Sequence, residues 1–89
     1  MFLDDELEQI YKEKGVTTES SKELLQTCLK RLPNPEKCSN MTFLNTLRQI
    51  EASWKLFCSR HKEYNPNGIR DFIMGRMQLS KNILEVLHW

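Results

Sequence analysis

The sequence predicts an all-α fold: a compact bundle of four to five helices with the segment at about 40–63 as its central spine. Three observations carry this. From Asn40 to Lys62 there is neither Gly nor Pro, and Phe43, Leu47, Ile50, Trp54 and Phe57 recur at alternating steps of four and three residues, with His61 next in line. On a helix those side chains fall on one stripe. Val occurs only at Val16 and Val86, whereas Leu, Glu, Lys, Gln and Met are plentiful, which favours helix over strand. Only three Gly and three Pro are present, too few for a loop-rich or low-complexity chain. At 89 residues the chain reads as one helical domain, 1–89, with a modest core.

The first helix is expected from about Asp4 to Lys14. Acids crowd its start and Lys12 and Lys14 its end, complementing the helix dipole. Gly15 suits the backbone position that follows, and Leu3, Leu7, Ile10 and Tyr11 form the buried side. Thr17, Thr18 and Ser20 are the candidate caps of a second helix. Ser20 with Glu23 fits a capping box, and Thr17 or Thr18 is the alternative start. Leu24, Leu25, Cys28, Leu29 and Leu32 then repeat at helical spacing until Pro33 and Pro35 end the element.

Ser39 or Asn40 caps the spine helix, which is expected to end near Glu63 or Tyr64, before the turn Asn65-Pro66-Asn67-Gly68. The remainder reads in two ways. As one helix its apolar face holds Ile69, Phe72, Ile73, Met77, Ile83, Leu84 and Leu87, but Arg76 and Ser80 fall in the middle of that face. Gly75 also weakens an unbroken helix by roughly 1 kcal/mol relative to Ala. Two helices, about 67–75 and 80–88 with Ser80 capping the second, agree better with the residues.

Charge and composition exclude several classes. The net charge is +1, split between a net −2 over residues 1–37 and a net +3 over residues 38–89. A strongly basic nucleic-acid module carries more. Asp4, Asp5, Glu6 and Glu8 occupy the place where a secretory leader needs bases and then an apolar run. No apolar stretch approaches membrane-spanning length. Cys28, Cys38 and Cys58, an odd number at irregular spacing, read as reduced thiols of a cytoplasmic protein rather than a disulfide framework.

Chemical motifs are scarce. Cys28, Cys38, Cys58 and His61 supply the ligand types of a zinc site, but no CxxC pair is present and the gaps match no usual structural-zinc spacing. Cys28 reads instead as a small core residue. Cys58 and His61, three apart on a helix, are not thereby oriented as nucleophile and base. Phosphate-binding glycine loops, HExxH, GxSxG and paired-acid motifs are absent. No cofactor, no metal and no enzymatic activity are therefore expected.

What is left is binding. The stripe reads as an internal core, with a homodimer seam as the alternative. Arg48, Lys55 and Lys62 recur every seven residues along one flank of the spine, and Leu56 lies on its far side. The expected function is a small non-enzymatic protein, such as a regulator, inhibitor or assembly factor, that binds another protein through Arg48, Lys55, Leu56, Arg70 and Trp89. Its size is compatible with a phage or mobile-element accessory protein. The alternative is nucleic-acid binding through Arg48, Lys55, Lys62, Arg70 and Arg76.

Overall fold

The computed structural model describes residues 2–76 and 79–88, and among these it contains five helices and no strand. They are α1 (Leu3–Lys14), α2 (Thr18–Lys30), α3 (Asn40–Arg60), α4 (Gly68–Arg76) and α5 (Lys81–Leu87). The all-α prediction holds, and α3 is the spine: α1, α4 and α5 all pack against it, while α2 packs against α1 and α4.

The stripe accounts for this arrangement. Phe43, Leu47, Ile50, Trp54 and Phe57 are each no more than 3% exposed. They meet Leu3 and Leu7 of α1, Leu24 and Cys28 of α2, Ile69 and Ile73 of α4 and Ile83 of α5 in one core. A helix that presents an apolar stripe is stabilised mainly by what covers the stripe, because its intrinsic propensity is marginal.

Local signals set most helix limits. Phe2, before α1, offers no side-chain cap, and Asp4, Asp5 and Glu6 in the first turn complement the dipole instead. At the other end Gly15 takes φ 69°, a backbone that favours glycine, and donates its N–H to the Tyr11 carbonyl. Ser39 caps α3 by accepting from the Thr42 N–H at 3.1 Å. Ser80 caps α5 by accepting from the Ile83 N–H at 3.3 Å. The C-terminal segment thus forms two helices, and Arg76 reaches the surface with its guanidinium 4.8 Å from the centre of the Phe72 ring.

Three expectations need correction. The capping box of α2 is Thr17 with Ser20, not Ser20 with Glu23: Thr17 Oγ1 accepts from the Ser20 N–H, and Ser20 Oγ accepts from the Thr17 N–H. The reason is burial. Ser20 is fully buried and its hydroxyl lies 2.8 Å from the Gly15 carbonyl, so it closes the α1–α2 turn, while Glu23 pairs with Lys14.

The second correction is the end of α3, which stops at Arg60 rather than near Glu63 or Tyr64. His61 leaves the helix at φ −127°, ψ 88° while still donating its N–H to the Phe57 carbonyl. The departure lets Tyr64 enter the core, where it is 7% exposed against Tyr11, Trp54 and Phe57. Trp54 Nε1 donates to the Asn65 carbonyl at 2.8 Å and ties the turn to the spine. The third follows from the second: Lys62 lies beyond the helix, so the seven-residue row of bases on α3 has two members, not three.

Candidate protein interface

The face of α3 opposite the stripe is uncovered along its length. Met41, Asn45, Arg48, Gln49, Ala52, Lys55, Leu56 and Ser59 are all exposed. At 1.5 Å per residue this face runs for about 30 Å. Three of the residues predicted to bind a partner stand on it: Arg48, Lys55 and Leu56. Leu56 is 47% exposed, as far out of the core as Met74 on α4 and Val86 on α5.

The fourth, Arg70, is brought beside them by the fold. It is exposed on the first turn of α4, and with Lys55 it lines a notch of about 200 Å³ between α3, the Pro66–Asn67 turn and the end of α5. Leu87 and His88 form the α5 wall, and Glu51 shares the α3 wall. Lys55 Nζ lies 3.4 Å from Glu51 Oε1, an i to i+4 pair on the helix surface. Such exposed pairs contribute only about 0.3–0.5 kcal/mol, so a partner's carboxylate can exchange with Glu51 at little cost. Trp89, the fifth predicted residue, lies outside the described residues.

The charges of the nucleic-acid alternative are spread over several elements. Arg48 and Lys55 stay on α3, Lys62 is exposed in the turn that follows, and Arg76 lines a separate groove with Leu29, Leu32 and Pro33.

Sequence reasoning missed a second polar feature, at the junction of α1 with the end of α3. The His61 ring lies over Tyr11, 3.9 Å between centres and tilted by 30°, and packs against Phe57. His61 Nε2 is 2.9 and 3.0 Å from the two carboxylate oxygens of Glu8. Arg60 Nη1 approaches the same carboxylate at 3.6 Å. The pKa of the Tyr11 phenol is raised above its ordinary value, first by the hydrogen bond to Glu63 and then by burial. Only the place of His61 at the end of the stripe hinted at this cluster. Glu8, read as dipole complementation, stands 53 positions away and gives no sign of its partner.

His61 is held from two sides, by the Glu8 carboxylate at Nε2 and by the Tyr11 ring against its face. Burial pushes the Cys28 thiol up to about 12 and the Cys58 thiol up to about 11, which keeps both protonated at neutral pH. Among the described residues no group of three His, Cys, Asp or Glu side chains is placed to hold a metal ion. No helix among them is long and apolar enough to cross a membrane.

Comparison of the chain with protein-family models, with curated proteins and with solved structures gives no match.

Proposed function

We propose that this chain is a non-enzymatic binding protein that receives another protein on the uncovered face of α3. One observation carries the reading: Arg48, Lys55 and Leu56 share that face, and the fold adds Arg70 across the notch from Lys55. Leu56 beside Lys55, with Arg48 two turns earlier, sets a half-exposed apolar side chain among basic ones on a rigid helix, with the charges placed for the polar rim of an interface. The helix is held from behind by the whole core, so the face is presented without an ordering cost on this side of the complex.

The test is affinity capture from the native host with the unaltered chain and with the double variant Leu56→Asp, Lys55→Glu. A protein recovered repeatedly with the first and lost with the second, at unchanged helical circular dichroism, supports the interface. Equal recovery with both, or a monomer that recovers nothing, overturns it. An electrophoretic shift series on DNA and RNA distinguishes the remaining class. A shift that weakens steeply with salt transfers Arg48, Lys55, Lys62, Arg70 and Arg76 to a phosphate backbone instead.

A further inference from the structure

We draw no further inference here: the strongest candidate, the notch between α3, the first turn of α4 and the end of α5 where Lys55 and Arg70 converge, belongs to the interface already proposed, and nothing in the structure shows what would fill it.

Discussion

Trp54 and Leu56 stand two residues apart on α3, and the helix turns them by roughly 200° relative to one another. Trp54 is 2% exposed and touches Phe57 and Tyr64, while its indole N–H holds the Asn65 carbonyl. Leu56 is 47% exposed. The same 21-residue helix therefore has one side packed against α1, α4 and α5, and one side on which solvent is the main neighbour. The covered side carries the fold, and the open side can change without disturbing it. Substitutions on the covered side report on folding, and substitutions on the open side report on the proposed interface.

The most severe way to sharpen the contrast is Trp54→Ala. It removes the largest core side chain and one of the two donors to the Asn65 carbonyl, the Gly68 N–H being the other, and it is expected to cost about 3–5 kcal/mol. Against a total stability of about 5–15 kcal/mol for a domain, that cost shifts much of the population to the unfolded state near physiological temperature. Thermal melting followed by circular dichroism measures it. A loss below 1 kcal/mol would show that the stripe is not the core.

Alkali tests the covered side through its thiols. Cys28 and Cys58 have ordinary values of 9.0 that burial raises to about 12 and about 11. The folded chain keeps both protons while the unfolded chain releases them above pH 9. Stability is thus fully present below pH 9 and falls as the pH climbs towards 11 and 12. Each thiol contributes a slope of at most about 1.4 kcal/mol per pH unit. Tyr11, raised by the hydrogen bond to Glu63, acts in the same direction above its ordinary value of 10.0. Urea titrations at pH 8, 9, 10 and 11 follow the decline, and Cys28→Ala makes it shallower. A flat profile would place both thiols in contact with water.

At the α1 junction the expected effects are smaller. Glu8→Gln leaves His61 a neutral acceptor in place of a carboxylate, and the expected cost is roughly 1–2 kcal/mol for a charge-assisted hydrogen bond that is mostly out of water. A double-mutant cycle with His61→Ala isolates the pair, and a coupling energy near zero would reduce the contact to a surface one. Tyr64 offers the opposite sign. Its hydroxyl is buried and, among the described residues, has no hydrogen-bond partner. Tyr64→Phe removes an unsatisfied group at nearly constant shape, so stability is expected to stay level or rise by about 1 kcal/mol. A clear loss in the urea midpoint would reveal a partner for that hydroxyl.

How much of this was legible in the sequence depends on how local each cause is. The stripe could be read because helical period alone fixes which residues share a face. Ser39 and Ser80 could be read because a cap acts within one turn. Thr17 was legible as one candidate cap, but the choice of Thr17 over Ser20 was not, since it depends on Ser20 being buried under the Gly15 carbonyl. Nor was the stop at Arg60. The nearest turn residues are Asn65 and Pro66, and what ends α3 earlier is the demand of Tyr64 for the core and of His61 for Glu8. The interface divides in the same way. Arg48, Lys55 and Leu56 follow from helix arithmetic, whereas the approach of Arg70 to Lys55 needs α4 to fold back against α3. The places of Lys62 and Arg76 were not legible for the same reason: they are set by where α3 and α4 end.

The finest test places the two sides of α3 in one experiment. Leu56→Asp with Lys55→Glu changes adjacent residues on the open side, next to Trp54 in sequence but not in space. Lys55 gives up a weak pair with Glu51, and its replacement adds a like charge one turn away, a penalty of about 0.3–0.5 kcal/mol. Leu56 gives up little apolar contact, since about half of it is already in water. The stability change is expected to stay within about 0.5–1 kcal/mol, several-fold below that of Trp54→Ala, as for surface substitutions generally. Equilibrium denaturation of the two variants side by side measures the ratio. If the double variant proves as damaging as Trp54→Ala, α3 has no open side, and the surface assigned to a partner is part of the fold.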